Sequence, residues 1–563
     1  MKDGGRAALL AMIAVCAAAA LPRSLCAQVV RGTVTDSASR RPISGAVVTL
    51  VDGSDAILGR SITNERGEFG VTSRRGAKSI HVVRIGFQPR DFPVDNATDP
   101  GRSIEVTMAP FTTRLATVRV TEKSGCPRSS ARNVAFAFWD QARAGLLNSV
   151  VAAKANPMSL HRLYFSRVLD VETGSIKSFI VNEDSTSSTE TSFTSARSTS
   201  ELVSKGFAGD TGVVGYMFGP DEDILGADAF AQGYCFRLAP ADKTRPGQVG
   251  VRFGAADVRR GRVDIEGTIW IDTVAHALRD AEFQYVGVPR AAVQFHPGGT
   301  MSFATAANGV VFIDRWSLHL IGNDPVQLSP ACRTNCRMRD RFYPAENGAE
   351  VSHAVWHSGL RWDAQLGTVT IRATTRRQPA ATGTVMQLAS SPYHGTADAS
   401  GTVTIADLVP GPYALKVGDP RLDGLGILLP TSAKFTAVRD STVRLSLELP
   451  TVEGFVMSQC RANGKWTATD STYLLGRVVD AQDNPVADAS VTFAVRHGEG
   501  AWTWDKETLR TDADGVFASC GTTLNPGGTL QVRVESEGAL PHSVTSEIES
   551  KTSIVPIQLD PRP

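Results

Sequence analysis

One turn sequence occurs three times in this chain of 563 residues, and it constrains the fold more than any other feature. The copies read TNERGEFGV (63–71), ADASGTVTI (397–405) and TDADGVFAS (511–519), each with Asn or Asp three residues before Gly. An Asx side chain at the start of a turn accepts hydrogen bonds from backbone amides further on, and glycine takes the left-handed conformation that closes the turn. Because apolar residues alternate after each Gly, every copy predicts a β-hairpin.

The repeats extend on both sides of the turn. Upstream, GTVTDSASRRPISGAVVTL (32–50) matches GRVVDAQDNPVADASVTF (476–493), and GTVTIRATTRRQPAATGTVMQL (367–388) is a looser copy. Downstream, each unit ends on an alternating strand that stops at a proline, which cannot donate the next ladder hydrogen bond. Units of roughly 85 to 110 residues with several short strands predict small antiparallel β-sandwiches.

These elements, together with LVPGPYALKV (408–417), resemble the carboxypeptidase regulatory-like domain, a prealbumin-like sandwich. In that family the domain accompanies peptidase catalytic domains, precedes the plug of TonB-dependent receptors, or occurs in series in secreted bacterial proteins. The resemblance covers the first and third units well and the second moderately. It implies a fold much more than a function.

The region between the first two sandwich units has a different pattern. Residues 131–155, rich in Ala and Leu, carry apolar residues near helical spacing and end before Pro157, which predicts a helix. Four segments then predict an antiparallel meander, whose last two strands join through Asn308-Gly309. These segments are 262–272, 277–287, 300–306 and 310–322. The Ser/Thr-rich stretch 182–200 is expected to be a mobile loop or a long exposed hairpin.

The phrase GTIWIDTVAHALRDAEFQY (267–285) is similar to the curved, half-open sheets of lipoprotein-carrier-like domains, in which a helix packs against the concave face. Side chains alternate along its first strand, so one face is aliphatic and the other polar apart from Trp270. We expect the helix of 131–155 to cover the aliphatic face, and any ligand pocket to lie between helix and sheet. The aliphatic face is Val263, Ile265, Gly267, Ile269 and Ile271, and the other face is Asp264, Glu266, Thr268 and Trp270.

The sequence therefore predicts a mainly β protein of three small antiparallel sandwiches and a middle α+β domain with one helix and a curved antiparallel sheet. The expected divisions are a signal peptide (1–27), a carboxypeptidase regulatory-like sandwich (28–122), the middle domain (123–365), and two further sandwiches (366–452 and 453–563).

The first residues predict export. Lys2 and Arg6 precede the apolar run 7–21, and small Ala27 offers a cleavage site before Gln28. Lipidation at Cys26 is disfavoured because bulky Leu25 stands where that signal needs a small residue. Later in the chain no apolar run reaches the ~18 residues that a membrane-spanning helix needs. A formal net charge of +1 gives no basic face for nucleic acid.

Six cysteines follow the predicted cleavage site, an even number suited to an oxidising compartment. Cys460 and Cys520 lie in one predicted unit, and we expect them to form a disulfide. Cys126 with Cys235 is a second plausible pair, which leaves a local loop between Cys332 and Cys336. Free buried thiols remain the alternative. A zinc site is weaker, because CRTNC has no second nearby Cys pair or His partners.

Catalytic motifs are absent from the sequence. The zinc peptidase domains that often accompany the regulatory-like domain bind their metal through His and Glu three positions apart. None of the ten His residues here has Glu three positions later. The zincin motif, the G-x-S-x-G elbow, the P-loop and the dinucleotide fingerprint are missing as well. We therefore expect no cofactor, no catalytic metal and no enzyme of a recognised motif class.

Three residue groups remain as candidate sites. Asp221, Asp223 and Asp228, with Glu222, offer oxygen ligands for Ca²⁺, although a solvated loop is the better explanation of these residues. Trp502 and Trp504 lie on one side of an extended segment and form either a binding platform or a cap on the sandwich core. The histidines beside the middle sheet have no carboxylate partner visible in sequence and are expected to be structural; they are His276, His296 and His319.

The expected function is that of an exported, non-enzymatic binding or scaffold protein with a protein or glycan partner in the periplasm, at the outer membrane or outside the cell. One alternative is a lipid or acyl-chain carrier that uses the curved sheet. Another is a peptidase-associated or cryptic hydrolase, which a metal or a nucleophile–base pair would reveal. TTRLATVRVTE (112–122) also suggests a relative of TonB-dependent receptors, but about 240 remaining residues are too few for the barrel.

Overall fold

The structure is a computed structural model with two compact units. The first unit comprises Met1–Ser178 and Glu183–Ala364, and the second comprises Phe179–Asn182 and Gln365–Pro563. Their division at 364/365 lies beside the sequence-predicted boundary at 365/366. The residues described are 28–54, 56–73, 76–94, 103–111, 130–155, 157–184, 193, 195–208, 217–257, 261–327, 338–376, 378–462, 472–505, 508–521, 524–549 and 552–559.

The first sandwich occupies the start of the first unit. One sheet has the order β4–β1–β7 and the other β3–β2–β5–β6. Its strands are β1 (Gln28–Asp36), β2 (Val47–Asp52), β3 (Ile57–Ile62), β4 (Glu68–Ser73), β5 (Ala77–Val83), β6 (Arg90–Pro93) and β7 (Ser103–Met108).

The middle domain forms the rest of the first unit around one wide antiparallel sheet, in the order β10–β11–β12–β13–β14–β15–β16–β8–β9. A short strand, β17, pairs with β16. The elements are α1 (Ser130–Ala155), β8 (Met158–Leu169), β9 (Ile176–Asp184), α2 (Thr199–Lys205), α3 (Glu222–Gly226), α4 (Asp228–Gly233), β10 (Tyr234–Leu238), β11 (Gln248–Ala255), β12 (Asp264–Asp272), β13 (Ala277–Val286), α5 (Arg290–Val293), β14 (Gly298–Thr305), β15 (Val311–Gln327), β16 (Met338–Trp356) and β17 (Arg361–Asp363).

The second unit contains the other two sandwiches. The second sandwich has β18 (Gly367–Thr375), β19 (Gln378–Pro379), β20 (Val385–Leu388), β21 (His394–Thr396), β22 (Thr402–Leu408), β23 (Gly411–Gly418), a 3-10 helix (Pro420–Leu425), β24 (Leu428–Ala437) and β25 (Thr442–Glu448). The third has α6 (Val452–Ala462), β26 (Tyr473–Val479), β27 (Ser490–His497), β28 (Thr503–Trp504), β29 (Leu509–Arg510), β30 (Val516–Cys520), β31 (Gly528–Glu535), β32 (His542–Glu547) and β33 (Thr552–Gln558).

The mainly β prediction is confirmed, with one difference in strand direction. In each sandwich the first strand pairs antiparallel with the strand that follows the repeated turn, but parallel with the last strand of the unit. The parallel pairs are β1 with β7, β18 with β25 and β26 with β33. The first strand is thus central in its sheet, and these sheets are mixed rather than wholly antiparallel.

The three repeated turns share one geometry. The glycines have positive φ angles of 71°, 73° and 73° at Gly67, Gly401 and Gly515. In the third copy, the side chain of Asp512 accepts hydrogen bonds from the amides of Asp514 (3.0 Å) and Val516 (2.9 Å). Asn64 and Asp398 accept the equivalent pairs in the other copies. The turn predicted from Asx-x-x-Gly is therefore confirmed at all three sites.

A buried threonine before the turn is a further shared feature, which the sequence reading missed. Thr63 Oγ1 accepts from the amide of Ala46 at 2.8 Å and donates to the carbonyl of Ile43 at 2.7 Å. Thr511 makes the same two bonds, to Ala489 and Val486, with the same lengths. Each hydroxyl therefore satisfies two backbone groups that the sandwich buries.

Helix α1 packs on the aliphatic face of β12, as predicted. Phe138 and Leu146 of the helix share one buried core with Ile265 and Ile269, which are fully buried. The opposite face is less open than expected, because Thr268 is 8% exposed and Trp270 only 5%. Both faces of this strand are therefore covered over much of its length.

Two local expectations need correction. The described residues of the middle domain include four short helices besides α1, so the prediction of a single helix was incomplete. In the 182–200 stretch, the described residues include the end of β9 and the start of α2, while 185–192 and 194 lie outside the described residues. Among the described residues, no helix is long and apolar enough to span a membrane.

Candidate binding groove

An open groove of about 890 Å³ lies over β10–β13, on the face of the sheet opposite α1. Strand alternation separates the two faces of β11, because Val251 lies in the core beneath α1 whereas Arg252 and Gly254 line the groove. The polar side chains that line it are Arg237, Arg252, Glu266, Thr268, Glu282 and Gln284.

A row of directly paired residues crosses the groove. Arg237 pairs with Arg252, Arg252 with Thr268, and Thr268 with Glu282. Directly paired residues lie on the same face of a sheet with their Cβ atoms about 5 Å apart. Two arginines therefore stand side by side near the end of the row, and Arg252 is the exposed one of the two.

The acidic side chains of the groove are held by neighbours in its wall. Trp270 donates from Nε1 to Glu282 at 2.9 Å, and Gln284 donates from Nε2 to Glu266 at 2.5 Å. Arg252 is exposed, and its guanidinium has no hydrogen-bond or ion-pair partner among the described residues. The guanidinium of Arg252 is thus open to a ligand, although the charges of Glu266 and Glu282 remain in the groove.

Arg245 supports this wall from outside the groove. Its guanidinium lies 4.7 Å from the ring centroid of Trp270 and forms an ion pair of 2.8 Å with Asp280. Stacking over the indole fixes the ring that holds Glu282. The carboxylate is thereby kept in the wall rather than beside Arg252.

Gly254 keeps the groove open at its floor. A Cβ atom built there would meet only Glu266 Cβ, at an ordinary contact distance of 3.7 Å, and the backbone φ is not in the left-handed region. A larger side chain therefore fits the backbone and projects into the groove. This position offers a way to fill the groove without straining the strand.

The predicted location of a ligand pocket between α1 and the sheet is wrong for this groove. Side chains of α1, including Trp139 and Leu146, fill the space over the aliphatic face. The groove instead lies on the polar face, where Arg252, Glu266 and Glu282 alternate with core residues. The alternation of apolar and polar residues along the strands was visible in the sequence. The sequence did not show which elements pack on each face of the sheet.

The acidic stretch does not form the predicted calcium site. Asp221 caps α3 by accepting from the amide of Ile224, and Asp228 pairs with Arg143. Glu222 is 1% exposed and accepts from Ser149 Oγ at 2.9 Å, while burial raises its pKa to about 7. Only Asp223 is an exposed carboxylate of α3. Among the described residues, no three His, Cys, Asp or Glu side chains are grouped to hold a metal.

One predicted disulfide is present in the described residues. Cys460 in α6 and Cys520 at the end of β30 are bonded, with their Cα atoms 6.1 Å apart. Cys235 is also disulfide-bonded. Its predicted partner Cys126 lies outside the described residues, as do Cys332 and Cys336.

The tryptophan pair does not cap the sandwich core. Trp504 is 46% exposed, and Trp502 is partly buried beneath Arg496, whose guanidinium lies 4.7 Å from the ring centroid. The third-sandwich core is formed by other residues, including Phe493 and Phe517. A binding platform at Trp502 and Trp504 stays a prediction.

The three histidines beside the sheet have separate environments. His276 and His296 occupy left-handed turn positions, with φ angles of 49° and 45°. The ring of His276 lies 6.4 Å from that of Phe87 in the first sandwich. His319 lies 4.0 Å from Glu346, a carboxylate neighbour that the sequence did not reveal.

Comparison with known proteins confirms the family resemblance for the first sandwich. The family model of the carboxypeptidase regulatory-like domain matches residues 29–109. No curated protein matches the chain.

Solved structures give only weak similarity. The TIE protein of Bacillus anthracis has 13% identity, covering 59% of this chain and 58% of its own, with a TM-score of 0.15. Hydroxyquinol 1,2-dioxygenase of Pseudomonas putida DLL-E4 has 13% identity over 17% of this chain and 59% of its own, with a TM-score of 0.14. The shaft pilin SpaA of Lactobacillus rhamnosus GG has 13% identity, covers 36% of this chain and 98% of its own, and has a TM-score of 0.14. Our chain thus spans under two thirds of the first two structures, and TM-scores this low carry no argument about fold or function.

Proposed function

We propose that the protein is exported and serves at the cell envelope as a scaffold whose middle domain binds an anionic partner in the groove over β10–β13. The carboxypeptidase regulatory-like domain at 29–109 and the β-sandwich sheets support a scaffold-type protein. Export is supported by the basic and apolar pattern of residues 2–21 and by the disulfide between Cys460 and Cys520. The binding of an anionic partner is a separate part of the proposal and rests on the groove.

The exposed guanidinium of Arg252 in an open groove carries the binding proposal. A guanidinium presents two parallel N–H donors that match a carboxylate or a phosphate. Glu266 and Glu282 already accept hydrogen bonds from the groove wall. An acidic partner therefore finds donors at one end of the groove.

A lipid carrier is less well supported than a binder of polar groups. The face beneath α1 is occupied by the protein's own aromatic and aliphatic side chains, including Phe138 and Ile269. The groove is lined by apolar residues such as Leu238 and Phe283, but charged and amide side chains stand among them. An acyl chain bound there would bury those charged groups without a polar partner.

Titration calorimetry with the full mature chain tests the proposal. Hexagalacturonate and hexaglutamate are the acidic probes, and methyl-esterified hexagalacturonate and hexaglutamine are their neutral counterparts. We expect at least one acidic probe to bind and its neutral counterpart not to bind. Arg252→Glu should weaken that binding at least tenfold, whereas Arg444→Glu, at an exposed strand arginine of the second unit, should not.

The outcomes distinguish the kinds of partner. Binding of hexagalacturonate alone indicates a glycan, and binding of hexaglutamate alone indicates a protein. Equal binding of acidic and neutral probes, or no binding of any of them, contradicts the anionic-partner proposal. N-terminal sequencing of protein recovered from the envelope tests export separately, with Gln28 expected as the first residue.

A further inference from the structure

Four polar side chains of β8, β9 and β16 form a hydrogen-bonded chain away from the groove. Ser352 Oγ lies 2.5 Å from His161 Nδ1, and His161 Nε2 lies 2.7 Å from Glu183 Oε1. On the other side of the serine, His353 Nδ1 lies 3.2 Å from the same Oγ. The order is thus carboxylate, imidazole, hydroxyl, imidazole.

A β-bulge creates this arrangement. The pairing of β16 with β8 shifts register between Val351 and His353, so Ser352 is an extra residue in its strand. His353 then pairs directly with His161, and their rings stack 4.7 Å apart with an angle of 9° between planes. Bulges redirect side chains and occur frequently beside active sites.

The hydrogen bonds determine which atoms carry the protons. A carboxylate only accepts, so His161 donates from Nε2 to Glu183. In a neutral imidazole the other nitrogen is then an acceptor, and Ser352 donates its hydroxyl proton to His161 Nδ1 at 2.5 Å, which is nearer than the carbonyl oxygen of His161 at 3.4 Å. The serine oxygen is free to accept from His353. This is the polarity that a serine nucleophile with a histidine base requires.

We propose that Ser352 is a nucleophile that accepts acyl groups from carboxylic esters, with His161 as general base and Glu183 as a positioning residue. This activity goes beyond binding in the groove. Oγ forms a bond to the ester carbonyl carbon while its proton passes to His161 Nδ1, and collapse breaks the C–O bond as that proton moves to the departing alcohol. Water then attacks the acyl-serine with His161 again as base, which releases the carboxylic acid and restores Ser352.

The burial of these hydrogen-bonded side chains fits the proposed role. Ser352 is 3% exposed, and this burial strengthens the hydrogen bond between its hydroxyl and the imidazole. The side chains of His161 and Glu183 are 23% and 44% exposed. In the proposed reaction the ester, and later the water, therefore have to reach the serine from the side of the partly exposed imidazole. His353 lies beside Oγ as a donor to the oxygen charge that develops during attack.

The sequence alone could not reveal these hydrogen-bonded side chains. His161 and Ser352 are 191 positions apart, and no local motif surrounds either residue. The nucleophile–base pair named above as the sign of a cryptic hydrolase appears only when β8 and β16 are paired.

Labelling of the full mature chain with a fluorophosphonate tests the proposal. The serine oxygen forms a bond to phosphorus, fluoride leaves, and the serine proton passes to His161. We expect peptide mass spectrometry to locate the adduct at Ser352, and the rate of its formation is the quantity compared between variants. His161→Gln should lower the rate about 100-fold, the scale of general-base catalysis. Glu183→Gln should lower it less, and Glu183→Asp should restore part of the loss.

Ser317→Ala is the matched control, because Ser317 is also a buried strand serine but bonds a hydroxyl, that of Thr300 at 3.0 Å. This variant should label at the wild-type rate. Thermal melting of each variant separates unfolding from loss of the base, and His161→Ala provides a second base-free variant. The absence of an adduct at Ser352, or an unchanged rate in folded His161→Gln and His161→Ala proteins, overturns the proposal. Failure of labelling leaves the groove titrations unaffected, so the two proposals fail separately.

Discussion

Asn148, in α1, donates a hydrogen bond of 2.6 Å from its side-chain amide to the carbonyl oxygen of Gly45 in the first sandwich. The same amide donates to Gly309 at 3.1 Å, and its oxygen accepts from the amide of Val311 at 2.8 Å. The residue is 1% exposed. One side chain thus ties the helix to both the sandwich and the sheet within the first unit.

Asn148→Leu should lower the free energy of unfolding of the first unit by about 3 kcal/mol or more, because it leaves several buried backbone groups unsatisfied. Urea unfolding measures the change. Lys154→Ala, at an exposed position of the same helix, should change it by less than about 0.5 kcal/mol. A loss below about 1 kcal/mol for Asn148→Leu would show that the three bonds are replaced by water.

Ile269→Ala tests the assignment of the two faces of β12. Ile269 is fully buried beneath α1, so truncation should cost about 2 to 5 kcal/mol. Thr268→Ala alters the groove face and should cost clearly less, although Thr268 is itself only 8% exposed. Chemical denaturation compares the two variants. Equal losses would mean that the groove face is packed as tightly as the core.

The sequence predicted those features whose causes are local. Asx-x-x-Gly identified three turns because the side-chain oxygen and the left-handed glycine act within five residues, as Asp512 and Gly515 illustrate. The helix and the meander strands followed from periodicity. Features that depend on pairing between distant strands were missed. Examples are the parallel pairing of β1 with β7, and the contact of His161 with Ser352.

In the candidate groove, too, the sequence predicted the local features and missed those that depend on tertiary packing. Alternation along β12 separated Ile269 from Thr268 correctly, but it did not show that α1 fills the aliphatic side completely. The neighbourhood of Arg237 and Arg252 depends on the register between β10 and β11, which sequence does not specify. The acidic stretch was misread because the burial of Glu222 arises from tertiary packing against Ser149.

Glu222 should make the stability of the first unit depend on pH. Burial raises its pKa from 4.5 to about 7, so the folded state holds a proton that the unfolded chain loses near pH 4.5. The resulting stabilisation is present below pH 4.5 and is lost as the pH rises through about 7. At 1.36 kcal/mol per unit, the difference is about 3 kcal/mol.

Glu222→Gln removes this titration. The free energy of unfolding of the variant, relative to wild type, should therefore rise by about 3 kcal/mol between pH 4 and pH 8. Denaturant unfolding across that range measures it. Glu65→Gln, at an exposed position, is the control and should show no such rise. A constant difference between Glu222→Gln and wild type at all pH values would show that Glu222 ionises normally.

The disulfide between Cys460 and Cys520 should stabilise the second unit. The two residues are 60 positions apart, and a loop of that length corresponds to about 4 kcal/mol in the chain-entropy account. The double variant Cys460→Ala and Cys520→Ala should lose that amount in denaturant unfolding. Mass spectrometry of a non-reduced digest checks the bond itself. Recovery of both cysteines as free thiols in mature protein would contradict the assignment.

Site-specific photo-crosslinking in cells that produce the protein tests the central claim most directly, because it asks whether the groove contacts a partner in place. A photoreactive residue at position 252 lies in the groove, and the same residue at position 444 serves as the control on an exposed strand of the second unit. We predict a discrete adduct from position 252 and none from position 444. The adduct should disappear when Gly254→Leu fills the groove floor. The absence of an adduct at position 252, or one that forms equally at 444 or survives Gly254→Leu, would contradict the account.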